Sequence, residues 1–137
     1  MIGIIILTLG RVGDGLLEEA SLIMGSQPKA VTTFTANYNQ SPEIILKDLQ
    51  DSISKLKNSS GILILADIYG ATHVNAACKL LEHNKVELVA GVNLPMLVRV
   101  LNYRDLELHE LVKLAVSGGK SGVISMDDNC SKEKSCS

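Results

Sequence analysis

The stretch Gly61-Ile-Leu-Ile-Leu-Ala-Asp-Ile-Tyr-Gly-Ala-Thr-His-Val-Asn75 decides how the rest of the chain is interpreted. An uninterrupted apolar segment leads directly into Asp67, which is followed by a turn at Gly70 and by the start of a helix. In open parallel α/β sheets, ligands bind beyond the carboxyl ends of the strands, where the amides of helix starts attract anions. The sequence therefore predicts a functional site around Asp67.

A second loop of the same kind follows the first predicted strand. Residues Ile2 to Leu7 form an almost continuous apolar run rich in β-branched side chains, which is typical of a strand covered on both faces. The run ends in Thr8-Leu9-Gly10-Arg11. We expect this loop to face the loop that contains Asp67.

Strand and helix patterns alternate along the whole chain. Strands are predicted at residues 2–7, 30–35, 62–66, 86–90 and 122–126. Helices are predicted after Asp14, after the capping residues Ser41, Thr72 and Asn93, and from near Glu107, the last one ending at Gly118-Gly119. Right-handed crossovers between such units predict an α/β fold, a doubly wound and mostly parallel sheet of four to five strands with helices on both faces. Its crevice is expected to contain Leu9, Asp67 and Asn93.

Composition limits the classes of function. The 137 residues, 46% of them hydrophobic, predict one domain over residues 1–126 and a disordered polar tail over residues 127–137. A net charge of -2 and only four aromatic side chains disfavour nucleic-acid binding. Cys130 and Cys136 without nearby histidines are a weak zinc signal, so neither a metal nor a cofactor is expected. The absence of a long apolar run and of a signal-peptide pattern predicts a cytoplasmic protein.

Three motifs resemble one known family. They are Thr8-x-Gly10 after the first strand, Asp67-Ile-Tyr-Gly-Ala-Thr72 followed by Asn75-Ala-Ala, and Ala90-Gly-Val-Asn-Leu-Pro-Met-Leu-Val98. In this order they resemble a mannose-class IIA (EIIA) domain of the bacterial phosphoenolpyruvate-dependent sugar phosphotransferase system, over residues 1 to about 125. The resemblance implies a flavodoxin-like sheet whose last strand is exchanged in a homodimer.

The resemblance also implies a role in sugar transport. A histidine at the end of the first strand would receive a phosphoryl group from the carrier protein HPr and pass it to a IIB partner, with the membrane involved only through a permease. Asp67 would orient that histidine as a catalytic residue. The phosphoryl group would be bound in a pocket formed by residues of the three motifs, namely Thr8, Gly10, Arg11, Tyr69, Gly70, Ala71, Thr72, His73 and Asn93.

The chain departs from the family pattern at the acceptor itself, because Leu9 stands where the family has its phosphorylated histidine. An aliphatic side chain has no lone pair and cannot accept a phosphoryl group. Three explanations follow: a natural paralogue that regulates or senses its partners, an engineered replacement of histidine, or transfer of the chemistry to His73, which stands where the family turn has proline. A small phosphate- or nucleotide-binding module is a further alternative, based on the glycines between Gly10 and Gly15.

Overall fold

The computed structural model describes residues 1–56 and 59–127. The four strands of the described residues, β1 to β4, cover Gly3–Leu9, Val31–Ala36, Ile62–Ala66 and Val86–Ala90. Helices α1 to α5 cover Val12–Met24, Pro42–Lys55, Thr72–Ala77, Leu94–Leu101 and Leu108–Ser121. A short 3-10 turn, Cys78–Leu80, extends α3. None of the helices among the described residues has both the length and the apolar character needed to cross a bilayer.

The strands form one parallel sheet in the order β2-β1-β3-β4. This confirms the predicted α/β class and places β1 in the interior of the sheet. The register pairs Leu9 of β1 with Ala36 of β2, and Leu7 of β1 with Ala66 of β3. The loops that leave β1, β2 and β3 therefore emerge together at one edge.

The two faces of the sheet explain why the β1 sequence is apolar throughout. Ile4 and Ile6 belong to a buried cluster shared with α1, α4 and α5, and Ile5 and Leu7 belong to the cluster on the opposite face with α2 and α3. Alternating side chains of a strand point to opposite faces. Because both faces are covered, an alternation of apolar and polar residues would leave polar groups in the core.

Two of the three predicted helix caps are confirmed. The Ser41 side chain accepts a hydrogen bond from the Ile44 amide at 3.3 Å, and Asn93 Oδ1 accepts from the Met96 amide at 2.9 Å. The prediction for Thr72 is wrong, because the cap position of α3 is Ala71 and Thr72 is already the first helical residue. No side chain caps α3.

The predicted end of the last helix is also wrong, because α5 continues through Gly118 and Gly119 to Ser121. These glycines lie against α4. A Cβ built on Gly118 would be 3.0 Å from Arg99 Cβ, and one built on Gly119 would be 2.7 Å from the terminal carbon of Met96. The two glycines permit close approach of two helices and do not break one.

Residues 122–126, predicted as a fifth strand, form no strand in the single chain. Gly122 ends α5, residues 123–125 have no regular secondary structure, and the segment is exposed. The side chains of Val123 and Ile124 are 79% and 58% exposed. The sheet of the described residues therefore ends at β4. Apart from Asp127, the tail that was predicted to be disordered lies outside the described residues.

At the end of the sheet opposite the loops that leave β1, β2 and β3, the buried side chain of Arg104 links its own segment to two other segments of backbone. Arg104 is 7% exposed and its guanidinium donates to the carbonyl oxygens of Ile2, Lys29 and Ala30. Ala30 has a positive φ of 53°, which is unfavourable for a side chain with a Cβ. Arg104 therefore fixes the start of β1 and the turn that leads into β2.

Candidate functional site

The sheet register brings residue 9 and Asp67 together, as the sequence predicted. The Asp67 amide donates to the Leu7 carbonyl at 3.3 Å, so the chain after β3 stays beside β1 for one more residue. The Leu9 amide then donates to Asp67 Oδ2 at 2.8 Å. The two loops are joined by a direct hydrogen bond between the backbone of one and the carboxylate of the other.

A histidine also contacts this carboxylate, but it comes from a different position of the chain. His73 Nε2 lies 2.6 Å from Asp67 Oδ1, and the same oxygen accepts a hydrogen bond from the Ile68 amide at 2.9 Å. The His73 side chain is 2% exposed, whereas that of Asp67 is 17% exposed. His73 therefore interacts with Asp67 from a covered position at the start of α3.

These contacts favour the ionised form of Asp67. Burial by itself raises the pKa of a carboxyl group, and it is the largest single influence on the pKa of Asp67. The hydrogen bond from the Leu9 amide, the contact with His73 and the Ile68 amide together outweigh burial and hold the pKa below its ordinary value of 3.8. Asp67 is consequently an anion at neutral pH.

A pocket of about 290 Å³ lies between the loop that joins β3 to α3 and the β2–α2 loop. The residues that line it are Leu9, Asn37, Tyr38, Gln40, Ile45, Gly70, Ala71, Thr72 and His73. Five of these were expected from the sequence, while the contribution of the β2–α2 loop was missed. That contribution follows from the pairing of β2 with β1, which places residue 37 next to the end of β1.

Thr8 and Gly10 were expected to bind a phosphoryl group but are used within the fold. Thr8 is buried, and its Oγ1 accepts a hydrogen bond from the Gly13 amide at 2.8 Å. The Gly10 amide donates to the Ala36 carbonyl at 3.2 Å, and Gly10 has a φ of +56°. Both residues shape the turn from β1 into α1, and neither lines the pocket.

Three other expected pocket residues also lie outside it. Arg11 is exposed at the start of α1, and Tyr69 is 87% exposed. Asn93 is tied to two helices, because its Oδ1 caps α4 and its Nδ2 donates to the Gly119 carbonyl of α5 at 3.0 Å. Asn93 therefore connects α4 to α5.

Comparison with known proteins identifies the family to which this site belongs. A family model described as "PTS system fructose IIA component" (EIIA-man) matches residues 3–116. The chain belongs to the mannose-class EIIA family. This match over residues 3–116 confirms the family resemblance that the three sequence motifs indicated.

The chain covers different shares of the length of two relatives. It is 34% identical over 125 residues to the "PTS system mannose-specific EIIAB component" of Escherichia coli (strain K12), covering 89% of the chain but 38% of that protein. It is 31% identical over 108 residues to the "PTS system fructose-specific EIIA component" of Bacillus subtilis (strain 168), covering 77% of the chain and 72% of that protein. The chain thus spans 38% of the length of the first relative.

Solved structures agree with this assignment. Phosphotransferase system component EIIA from Streptococcus agalactiae superimposes with a TM-score of 0.82 at 26% identity, covering 93% of this EIIA chain and 99% of the other. The mannose/sorbose-specific IIA subunit from Enterococcus faecalis has a TM-score of 0.80 at 21% identity, covering 90% and 92%, and shows the shared fold.

The side chains next to Asp67, those of Leu9 and His73, determine which chemistry is available at this EIIA site. An ionised carboxylate is suited to orient an imidazole and to fix its tautomer. The side chain of Leu9 offers no nucleophilic atom, and the imidazole of His73, which lines the pocket, is covered. The site therefore has an ionised carboxylate next to residue 9 and no nucleophilic atom in the side chain of that residue.

Proposed function

We propose that this chain is a IIA-type component of a mannose-family phosphotransferase system that binds its partners without carrying a phosphoryl group at residue 9. The observation that supports this most directly is the hydrogen bond between the Leu9 amide and Asp67 Oδ2. This hydrogen bond supports a role for the carboxylate in orienting an acceptor at residue 9, and that residue is a leucine. The protein would then act as a regulator that presents an unphosphorylated IIA surface.

The burial of His73 disfavours the alternative in which His73 became the acceptor. Transfer from a protein-bound phosphohistidine requires the attacking nitrogen to reach the phosphorus atom in line. A side chain that is 2% exposed cannot meet a second protein without movement of the surrounding loop. We therefore assign His73 no phosphoryl transfer.

The partners that we propose are HPr and a IIB component. They would meet the edge of the sheet around Leu9, where the exposed tyrosines Tyr38 and Tyr69 flank the loops of the site. Aromatic side chains of this kind are enriched at protein interfaces. We place the protein in the cytoplasm, with contact to the membrane only through a permease complex.

We also propose that the functional form is a homodimer built by strand exchange. The exposed segment 122–126 contains three apolar side chains, and strand β4 ends the sheet. Pairing this segment with the β4 of a second subunit would cover both the apolar side chains and the open edge, which removes an aggregation hazard. Light scattering should give a dimer, and Ile124→Asp should shift it to monomer.

The rival function as a nucleotide-binding module is disfavoured by the use of the loop amides. The amides of Gly10, Gly13 and Gly15 donate to Ala36, Thr8 and Arg11, respectively, within the chain. A phosphate cradle needs such amides to point at the ligand. The glycines between residues 10 and 15 therefore serve the turn and the start of α1.

Calorimetric titration of the chain with HPr and with a IIB domain from the same organism tests the proposal. We expect saturable binding of at least one of them, and we expect the chain to keep its unmodified mass when phosphoenolpyruvate and enzyme I are added with HPr, because residue 9 takes up nothing. Tyr69→Ser should weaken the binding, and the matched variant Tyr103→Ser, remote from the site loops, should leave it unchanged. Absence of binding to both proteins would overturn the proposed function.

A further inference from the structure

The Asp67 carboxylate joins three segments of the chain. Oδ2 accepts from the Leu9 amide at 2.8 Å, while Oδ1 accepts from the Ile68 amide at 2.9 Å and contacts His73 Nε2 at 2.6 Å. A carboxylate offers about four acceptor positions, so these three contacts occupy most of its capacity. Oδ1 is already engaged by two groups, so a further donor to Oδ1 must displace the Ile68 amide or His73, while Oδ2 keeps one position beside the Leu9 amide.

We infer that His73 is a positioning residue that engages Asp67 Oδ1 and so competes with any imidazole at residue 9 for this carboxylate. Replacing Leu9 by histidine would then restore a nucleophile without restoring its orienting carboxylate. The inference rests on the proposed function, since it concerns the same site. It adds a second obstacle to phosphoryl transfer. The site lacks the acceptor at residue 9, and His73 engages the Asp67 carboxylate that an acceptor would need.

The geometry of the pocket supports direct competition. Leu9 and His73 line the same pocket of about 290 Å³, and both are hydrogen-bonded to or in contact with the same carboxylate. The His73 ring is 2% exposed, and the helix residues after it, Val74, Ala76 and Ala77, are buried. To bind Asp67 Oδ1, a histidine introduced at residue 9 would have to displace a ring that is held by the surrounding packing.

Electrostatics act in the same direction. The donors already on Asp67 lower its pKa and so make it a weaker base. A weaker base is a weaker acceptor for one more hydrogen bond. An imidazole at residue 9 would therefore gain less orientation from Asp67 while His73 stays in place than after its removal.

The test compares four chains: Leu9→His alone, Leu9→His with His73→Ala, Leu9→His with His73→Pro, and Leu9→His with His83→Ala. His83 is an exposed loop histidine and supplies the matched control. Proline at residue 73 is tolerated because this is the second residue of α3, within its first turn. It provides a second variant if alanine, which leaves a cavity, destabilises the fold.

Two readouts are measured on each chain. Nitrogen-15 NMR of the imidazole rings reports the tautomer of the new histidine and any ring N–H that is hydrogen-bonded to a carboxylate. Phosphoryl uptake from phosphoenolpyruvate, enzyme I and HPr reports function. In metal sites, a hydrogen-bond partner that orients a histidine changes metal affinity or activity by about 10- to 100-fold. Removal of His73 should therefore accelerate phosphoryl uptake by about 10-fold or more.

We expect the new histidine to show a carboxylate-bound N–H in both chains that lack His73, and not in Leu9→His alone or in the His83 control. The inference is overturned if the new histidine binds Asp67 while His73 is present, or if removing His73 leaves its NMR signature unchanged. If the signature changes as expected but neither HPr nor a IIB domain binds the chain, the inference stands and the proposed function fails.

Discussion

Replacing Asp67 by asparagine perturbs the structure at the point where three segments meet. Asparagine keeps one acceptor oxygen and puts an NH₂ group in the other position. If the oxygen stays near His73 and Ile68, the NH₂ group faces the Leu9 amide, and two donors oppose each other. A hydrogen bond to a charged acceptor is worth about 1.5–3 kcal/mol. Because the Asp67 side chain is 17% exposed, we expect a loss near the lower end, about 2 kcal/mol of unfolding free energy.

Urea denaturation followed by circular dichroism measures this loss. With a slope of about 2 kcal/mol per M for a domain of this size, the midpoint should fall by about 1 M at pH 7. The pKa of Asp67 in the folded chain is lowered, so the unfolded chain binds the proton more tightly. The stabilisation is therefore complete above the ordinary value of 3.8 and is lost as the pH falls through the lower folded pKa. The difference between the two chains should shrink below pH about 4.

Asp51→Asn is the matched control, because Asp51 is an exposed carboxylate on α2. Its effect should stay within about 0.5 kcal/mol. An Asp67→Asn chain as stable as the control at pH 7 would refute the view that the carboxylate organises the loops of the site. A difference that stays constant down to pH 2 would refute the assignment of the effect to its charge.

Three further predictions concern the framework around the site. Arg104→Met removes the donor to three backbone carbonyls, and we expect urea denaturation to show a loss of about 3 kcal/mol in unfolding free energy. Arg104→Lys should lose nearly as much, because its single ammonium group cannot donate to all three carbonyls. Gly122→Ala places a Cβ 2.5 Å from the rigid ring of Pro95 and should cost about 1–3 kcal/mol; an unchanged melting temperature would contradict this packing. Gly15→Ala, at an open position within α1, should instead raise stability by about 0.5–1 kcal/mol, and a loss would count against the helical start at Val12.

The elements that the sequence predicted well are those fixed by local physics. Strand β1 was recognisable because a run of β-branched residues without polar alternation can only be satisfied between two covered faces. The caps Ser41 and Asn93 were recognisable because each precedes a proline in a first turn. In these places a few neighbouring residues determine the conformation.

The errors lie where distant contacts decide. Gly118-Gly119 has the pattern of a helix end, but the approach of α4 requires small residues there, and no local signal indicates the difference. Arg104 was not singled out, because a lone arginine in a loop is usually solvated and only the folded chain surrounds it with carbonyl groups.

In the candidate site, too, some features follow from the order of the strands and others depend on distant packing. Proximity of Leu9 and Asp67 follows from the order of parallel strands, so it could be predicted. The covered position of His73 and its contact with Asp67 depend on how α3 packs, which its sequence does not specify. The same is true of Thr8 and Asn93, whose polar groups turn into the fold and away from the pocket.

Intact-mass measurement of the native chain, after incubation with phosphoenolpyruvate, enzyme I and HPr, tests the central claim most directly. We predict that the chain keeps its unmodified mass while HPr in the same mixture becomes phosphorylated. An acid-labile phosphoryl group on the native chain would contradict the claim, and its location would show which side chain had taken the place of the missing histidine.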